Sequence, residues 1–185
     1  MIIGVTGNFG SGKTTVSRML AKMSSAKIIN ADIIAKKYLR VHKKKILMEF
    51  PEARKNNNID VRKLAEIVFE DKKKLRKLER ILHPLVIREV REQSKIKRNV
   101  VIDAPLLIEA DLYSLCDFII LVKIPKETQI RRLKGKFSKE EINKRLKNQM
   151  TFSKKRKYAD YIINNNSSLK NTTRQVEYVW QRMKE

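Results

Sequence analysis

The chain opens with a short apolar segment followed by a glycine-rich loop, and this pair constrains the fold more than any other feature. Residues 2–6 read Ile-Ile-Gly-Val-Thr, and residues 7–14 read Gly-Asn-Phe-Gly-Ser-Gly-Lys-Thr. Gly-x-x-x-x-Gly-Lys-Thr between a strand and a helix is the pattern of a phosphate-binding loop. The apolar spacing of Val16, Leu20 and Met23 predicts the helix that this pattern requires. The chain therefore begins with a predicted strand–loop–helix unit that binds a nucleoside triphosphate.

Short apolar runs alternate with longer helical patterns along the rest of the chain. The candidate strands are residues 2–6, 27–30, 99–103, 118–122 and 161–163. Several are apolar throughout, which is typical of strands that helices cover on both faces. This alternation predicts an α/β fold with a parallel sheet flanked by helices.

The longest helical pattern lies between the second and third predicted strands, in residues 33–98, called here the helical insertion. Apolar residues recur there at steps of three and four from Leu64 to Leu82, with the charged residues 71–74 interrupting them. Farther along the chain, Ser138 and Glu141 have the spacing of a capping box and predict the start of another helix. Arg145 and Gln149 are predicted to lie one turn apart on that helix. The last helix is predicted to carry Val176, Val179, Trp180 and Met183.

Charge and cysteine content limit the class of protein. The chain has 43 Lys and Arg against 20 Asp and Glu, a formal net charge of +23 that predicts attraction to polyanions or phosphorylated small molecules. Cys116 is the only cysteine, which excludes an intramolecular disulfide and is expected for a reducing cytoplasm. No apolar run approaches the roughly 20 residues of a membrane-spanning helix, so a soluble cytoplasmic protein without a membrane partner is expected.

The loop residues have distinct expected roles toward the nucleotide. The glycines let successive backbone N–H groups face phosphate oxygens, and the following helix adds the positive end of its dipole. Lys13 is expected to reach the β- and γ-phosphates, and the Thr14 hydroxyl to bind Mg²⁺. The pattern predicts ATP or another nucleoside triphosphate without identifying the reaction.

Two aspartates at predicted strand ends are candidates for the chemistry. Asp103 ends the third predicted strand, where a carboxylate can hold Mg²⁺ beside the phosphate loop, and the alternative is a turn-forming residue before Pro105. Asp32 follows the second strand, where it could orient an acceptor hydroxyl or simply cap a helix beginning near Ile33. Spacing alone leaves both interpretations of Asp32 open.

Nearly the whole chain resembles the dephospho-coenzyme A kinase family. The resemblance rests on six segments in the family's order, namely the phosphate loop at 7–15, Asn-Ala-Asp at 30–32, Leu-His-Pro-Leu at 82–85, Pro-Leu-Leu-Ile-Glu at 105–109, Arg-x-x-x-Gln at 145–149 and Ala-Asp-Tyr-Ile-Ile at 159–163. A phosphate loop alone is shared by many enzymes, whereas the Leu-His-Pro and Pro-Leu-Leu-x-Glu pair beside it is far more specific.

The resemblance implies a kinase that transfers the γ-phosphate of ATP to the ribose 3′-hydroxyl of dephospho-coenzyme A. It implies a P-loop kinase fold with a five-stranded parallel sheet, in a single domain with core segments 1–32, 99–131 and 151–185. The helical insertion would bind the acceptor, and residues 132–150, called here the lid segment, would cover ATP.

The resemblance also implies roles for individual residues. The catalytic set is Asp32, Lys13, Arg132 and Arg145, the two arginines neutralising charge on the transferred phosphoryl group. The expected nucleotide-binding residues are Gly7, Gly10, Ser11, Gly12, Lys13, Thr14, Thr15, Lys136 and Asn165. The expected acceptor-binding residues are Thr6, Asp32, His83, Leu106 and Glu109. The expected Mg²⁺ ligands are Thr14 and Asp103.

Three departures from the family pattern stand out. Asn30 replaces the first aspartate of the Asp-Ala-Asp signature. The lid segment is short, with Lys136 where the family tends to carry arginine, and lysine cannot form a bidentate fork to phosphate. The glycine expected near the adenine is Ser167, which is a poorer choice if that glycine takes a positive φ, although Asn166 could adopt such a conformation.

Two alternative functions are compatible with a phosphate loop. A kinase for another nucleotide or nucleoside has the same fold, and a P-loop NTPase that binds nucleic acid would suit the net charge. Aromatic residues are only 6% of the chain, which argues against stacking on nucleic-acid bases. The lysine runs at 43–45, 72–74 and 154–157 are expected to be solvated, His83 to shape a helix junction before Pro84, and Cys116 to lie in or near the core.

Overall fold

The structure is a computed structural model that describes residues 1–96 and 98–185. Its centre is a five-stranded parallel sheet with the order β2-β5-β1-β6-β7. The strands are β1 (Ile2–Thr6), β2 (Lys27–Asn30), β5 (Val100–Asp103), β6 (Phe118–Lys123) and β7 (Tyr161–Asn164). The five strands predicted from the sequence and their parallel arrangement are confirmed.

The first strand of the chain occupies the middle of the sheet. Ile2 pairs with Val100 of β5 on one side, and Ile3 pairs with Phe118 of β6 on the other. Because parallel strands end at the same edge, the register brings Asn30, Asp103 and the phosphate loop together at the carboxyl edge. Ligands of open α/β sheets bind at this edge.

Helices cover both faces of the sheet, which explains the continuous apolar character of the strands. Helices α1 (Lys13–Ser24) and α9 (Leu169–Arg182) pack on one face, and their buried apolar residues include Val16, Leu20, Val176 and Val179. On the other face, α2 (Ala31–Val41) and α5 (Lys72–Ser94) contribute Ile34, Val86 and Val90.

Cys116 packs beside the centre of the sheet, as expected. Its thiol lies against Gly4 of β1 and within 3.5 Å of the Leu112 carbonyl oxygen, which accepts from it. Burial, with smaller contributions from Asp117 and Asp160, raises the pKa of the Cys116 thiol to about 12. The thiol therefore stays protonated at neutral pH and is a poor nucleophile.

The helical insertion has a small core of its own. It contains α2, α3 (Lys43–Glu49), α4 (Val61–Glu70) and α5, which enclose a cluster that includes Leu39, Ile46, Phe50 and Leu64. A two-stranded antiparallel hairpin that the sequence analysis did not predict, β3 (Arg54–Lys55) with β4 (Asn58–Ile59), interrupts the helices. Asn56 in its turn has a φ of 52°.

The charged residues 71–74 mark a helix start, and Pro84 does not mark a helix end. The Asp71 carboxylate accepts from the backbone N–H of Lys73 and so caps α5. Helix α5 continues through Pro84, so the expected junction at His83 is wrong. Proline removes one backbone hydrogen bond there, while buried Leu82 and Val86 on either side keep the helix packed.

The lid segment contains the end of α6 (Lys126–Leu133) and all of α7 (Lys139–Lys147), and α8 (Phe152–Arg156) follows it. The predicted capping box is confirmed, with Ser138 and Glu141 bonding reciprocally. Helix α7 ends before Gln149, so the expectation that Gln149 lies on the helix one turn from Arg145 is wrong. Among the described residues, no helix combines the length and apolar character needed to cross a membrane.

Candidate active site

Glycine is required in the phosphate loop where the chain bends sharply toward α1. Gly12 has a φ of 89°, and a Cβ atom there would collide with the side-chain amide of Asn165. The Asn165 amide donates to the Ser11 carbonyl oxygen at 2.9 Å and accepts from the Thr172 hydroxyl at 2.9 Å. The side chain of Asn165 is thus buried and supports the backbone of the phosphate loop.

The lid segment and α6 hold the other side of the loop. The backbone N–H of Phe9 donates to Gln149 Oε1 at 2.9 Å, and Gln129 Nε2 donates to the Phe9 carbonyl oxygen. Both backbone groups of Phe9 are therefore satisfied by side chains, one from the lid segment and one from α6. These two contacts hold the backbone of the phosphate loop at Phe9.

A hydroxyl and a carboxylate meet where α1 begins. Thr14 Oγ1 donates to Asp103 Oδ2 at 2.7 Å, and Asn30 Nδ2 donates to the same oxygen at 2.9 Å. These hard oxygen donors fit Mg²⁺ chemically. Within the described ranges, no group of three or more His, Cys, Asp and Glu side chains could hold a metal ion alone. A cation here would draw its remaining ligands from phosphate and water.

The structure excludes one of the two interpretations of Asp32, that of a helix cap. The cap of α2 is Asn30, whose Oδ1 accepts from the backbone N–H of Ile33 at 2.9 Å, so the capping interpretation of Asp32 is wrong. Asp32 lies in the first turn with its carboxylate open to the cleft. Replacing the family's first aspartate by Asn30 gives one side chain that caps the helix and also donates to Asp103.

Lys13 and Asp32 influence each other's ionisation across the cleft. Asp32 is accessible to solvent, yet surrounding protein partly desolvates it and raises its pKa, while the charge of Lys13 opposes this shift. Burial lowers the pKa of Lys13, and Asp103 and Asp32 oppose that shift. A carboxylate and an ammonium therefore interact electrostatically beside the phosphate loop.

An apolar pocket of about 200 Å³ adjoins Asp32. Helices α4 and α5 and the chain after β5 supply its walls, which include Phe69, Leu75, Leu82, His83, Pro105 and Leu106. Burial lowers the pKa of His83, with Glu109 opposing, so its imidazole is neutral at pH 7. Of the expected acceptor-binding residues, Asp32, His83 and Leu106 therefore share one pocket.

Thr6 and Glu109 do not line that pocket. Thr6 is buried, and its hydroxyl donates to the Pro105 carbonyl oxygen at 3.3 Å. Glu109 accepts from the backbone N–H of Met150 at 2.8 Å and forms an ion pair with Lys155 at 3.0 Å. Both residues hold the pocket wall in place from behind.

Lys155 is buried, contrary to the expectation from the sequence. It belongs to the run 154–157, which was expected to be solvated, yet its side chain is fully buried. Its ammonium donates to the Pro105 carbonyl oxygen as well as to Glu109. These two partners compensate the buried charge, and no local pattern distinguishes Lys155 from its exposed neighbours.

The expected lid cations have different surroundings. Arg132 donates to the Asn165 carbonyl oxygen at 2.8 Å, and Lys136 is exposed in the loop before α7. The Arg145 guanidinium lies 4.8–5.1 Å from the ring centres of three phenylalanines. No residue from 165 to 167 has a positive φ, so Ser167 does not have to adopt a conformation that would favour glycine. Asn166 accepts from the Thr128 hydroxyl at 2.7 Å.

The arrangement suits phosphoryl transfer to a small molecule. Backbone N–H groups and Lys13 can bind a triphosphate, Thr14 and Asp103 can share a divalent cation, and Asp32 stands between this site and the apolar pocket. A nucleotide on the loop and an acceptor in the pocket would meet at Asp32.

Comparison with known proteins agrees with this geometry. Residues 1–171 match the family model described as dephospho-CoA kinase. The chain is 39% identical to the dephospho-CoA kinase of Fusobacterium nucleatum, over 96% of this chain and 95% of that protein.

Solved structures show the same similarity. A Thermus thermophilus protein superposes with a TM-score of 0.83 and 32% identity, over 99% of this chain and 97% of that one. The dephospho-CoA kinase of Campylobacter jejuni superposes with a TM-score of 0.70 and 28% identity, over 98% of this chain and 96% of that one.

Proposed function

The chain belongs to the dephospho-CoA kinase family, and we propose that it binds ATP and dephospho-coenzyme A together in the cleft beside Asp32. It is an ATP-dependent kinase that phosphorylates the ribose 3′-hydroxyl of dephospho-coenzyme A, giving coenzyme A and ADP. The observation that carries the residue assignment is the position of Asp32, which borders the apolar pocket and interacts electrostatically with Lys13.

Asp32 acts on the acceptor hydroxyl. Its carboxylate accepts the hydrogen bond of the 3′-hydroxyl and aligns that oxygen with the γ-phosphorus. As the new P–O bond forms and the bond to ADP breaks, the hydroxyl proton passes to the carboxylate. The raised pKa of Asp32 makes it a better proton acceptor than an ordinary aspartate.

The phosphate loop and the lid segment act on ATP. Lys13 and the loop N–H groups, including those of Gly10, Gly12 and Thr15, bind the β- and γ-phosphates. Arg132, Arg145 and Lys136 of the lid segment close over the nucleotide and neutralise charge on the transferred phosphoryl group. Thr14 and Asp103 would hold Mg²⁺, which neutralises phosphate charge when bound.

The helical insertion binds the acceptor. Its pocket is apolar and has neutral His83 at its wall, which suits the uncharged parts of dephospho-coenzyme A. Positive charge elsewhere on the chain attracts the acceptor's pyrophosphate. The lone cysteine supports a cytoplasmic location.

The first test is an ADP-release assay with ATP and Mg²⁺ that compares dephospho-coenzyme A, AMP, adenosine and no acceptor. We expect release that depends on dephospho-coenzyme A, with mass spectrometry identifying coenzyme A as the product. Heat-inactivated protein is the control for contaminating acceptor and ADP. Equal release with AMP or adenosine would contradict the acceptor assignment while leaving the nucleotide site intact.

A further inference from the structure

Arg145 is held by three phenylalanine rings that come from three separate parts of the chain. Its guanidinium carbon lies 5.1 Å from the ring centre of Phe9 in the phosphate loop, 5.1 Å from that of Phe69 at the end of α4, and 4.8 Å from that of Phe137 in the lid segment. Phe9 and Phe137 also contact each other edge to face at 5.1 Å. One cation thus joins the phosphate loop, the helical insertion and the lid segment.

The rings determine where this guanidinium lies. Across residues 1–96 and 98–185, no ion pair includes Arg145. Burial lowers the pKa of Arg145, with Glu141 opposing, although an arginine stays charged. A cation over an aromatic face is attracted by the ring quadrupole, and more strongly where water is partly excluded. The N–H donors at the guanidinium edge are left for a bound anion.

Phe69 contributes both to the apolar pocket and to the aromatic surroundings of Arg145. Its side chain lines the apolar pocket beside Asp32, and its ring also faces Arg145. The Phe69 carbonyl oxygen accepts from Asn148 Nδ2 at 3.1 Å, and neighbouring Glu70 pairs with Lys144 of α7 at 2.6 Å. The end of α4 is therefore attached to the lid segment directly beside the Arg145 guanidinium.

We propose that Phe69 is a positioning residue that couples occupancy of the acceptor pocket to the orientation of Arg145. An acceptor packed against the pocket side of the ring restricts its rotation, so the other face stays presented to the guanidinium. Arg145 then keeps the orientation that directs its donors to the γ-phosphoryl group. An empty pocket leaves the ring freer, which disfavours transfer of the phosphoryl group to water. This proposal rests on the proposed function of the cleft.

The experiment compares Phe69→Leu, which keeps an apolar wall, with Phe69→Tyr, which keeps a ring. We expect Phe69→Leu to lower kcat for transfer by about fivefold to tenfold, the range of a partly desolvated cation–π contact, with KM for dephospho-coenzyme A changing less. The ratio of ATP hydrolysis to transfer should rise, and Phe69→Tyr should restore both values. The control is Trp180→Leu, which removes an aromatic ring of α9 that lies 5.6 Å from Lys184, a different cation.

A double-mutant cycle with Arg145→Gln tests whether Phe69 acts through Arg145. Single-turnover product formation, read by mass spectrometry with enzyme in excess, makes slow variants measurable. We expect Phe69→Leu to change the rate by less than about twofold in the Arg145→Gln background. An undiminished effect there, or a change confined to KM, would overturn the proposal. Absence of transfer by the unmodified protein would instead overturn the proposed function.

Discussion

The two sides of the cleft, the sheet edge and the lid segment, hold their polar and charged side chains in different ways. On the sheet edge, Thr14, Asn30 and Asp103 converge through hydrogen bonds of 2.7 and 2.9 Å beside buried strands. In the lid segment, Arg145 rests on aromatic faces and Lys136 is exposed. The comparison indicates that hydrogen bonds fix the groups of the sheet edge, whereas aromatic rings and solvent surround the cations of the lid segment. Substitutions at the sheet edge should therefore have larger effects than those in the lid segment.

The largest expected effect is that of Asp32→Asn. Loss of the carboxylate should lower kcat by about 10²- to 10⁴-fold, the usual contribution of a positioned proton acceptor. ATP affinity, measured by equilibrium titration, should be nearly unchanged because Asp32 faces the acceptor pocket. Loss of ATP binding together with activity would show that Asp32 supports the loop instead.

The stability of Asp32→Asn also distinguishes a role of Asp32 in the reaction from a role in supporting the loop. Because the folded state raises the pKa of Asp32, ionisation of this carboxyl opposes folding above that pKa. Asp32→Asn should therefore raise the melting temperature slightly at neutral pH. The gain should vanish as the pH falls below the ordinary pKa of aspartate, where both states are protonated.

The second prediction contrasts a buried ion pair with an exposed one. Glu109→Gln leaves the Lys155 ammonium buried without its carboxylate, and should reduce the free energy of unfolding by about 3 kcal/mol. Lys144→Gln, which breaks the exposed pair with Glu70, should leave stability unchanged within error. Urea denaturation measures both.

A double variant sharpens this second prediction. Lys155→Met combined with Glu109→Leu replaces both charges by apolar side chains and should recover most of the lost stability. Equal destabilisation by Glu109→Gln and Lys144→Gln would show that the buried ion pair is no more important for stability than the exposed one.

The third prediction concerns the pH dependence of transfer. Asp32 must be ionised to accept the proton, so kcat should fall as the pH decreases through its pKa. Burial raises that pKa above the usual 3.8, and the acid limb should lie correspondingly higher. Lys36→Gln should move the limb slightly further upward, because Lys36 lowers the pKa of Asp32. A downward movement would contradict the assignment of this limb to Asp32.

The smallest expected effect is a gain from Lys136→Arg. A guanidinium can bond two phosphate oxygens at once, so kcat should increase by about twofold to fivefold. Lys134→Arg, two residues away in the same loop, is the matched control and should leave kcat unchanged. Equal gains from both variants would indicate a general charge effect rather than a specific contact at position 136.

The sheet was predictable because its signals are local and strong. Several strands are continuous apolar runs, and the phosphate loop has its expected neighbours on both sides. The β3–β4 hairpin had a signal in Asn56, a residue type that tolerates the left-handed turn conformation, but the helical pattern around it obscured this.

The site was less predictable because its contacts join residues that are distant in the sequence. The burial of Lys155 depends on Glu109 and Pro105, and the surroundings of Arg145 depend on Phe9 and Phe69. Capping by Asn30 was concealed because Asp32, two residues later, is equally common at helix starts.

The position of β1 has a consequence for synthesis of the chain. The phosphate loop leaves the ribosome well before residues 100–103 and 118–121, with which the strand preceding it pairs. Until those residues emerge, an apolar strand with two unpaired edges stays available to other chains. Domains form as units during translation, so we expect this nascent chain to need protection by a chaperone until β6 has been made.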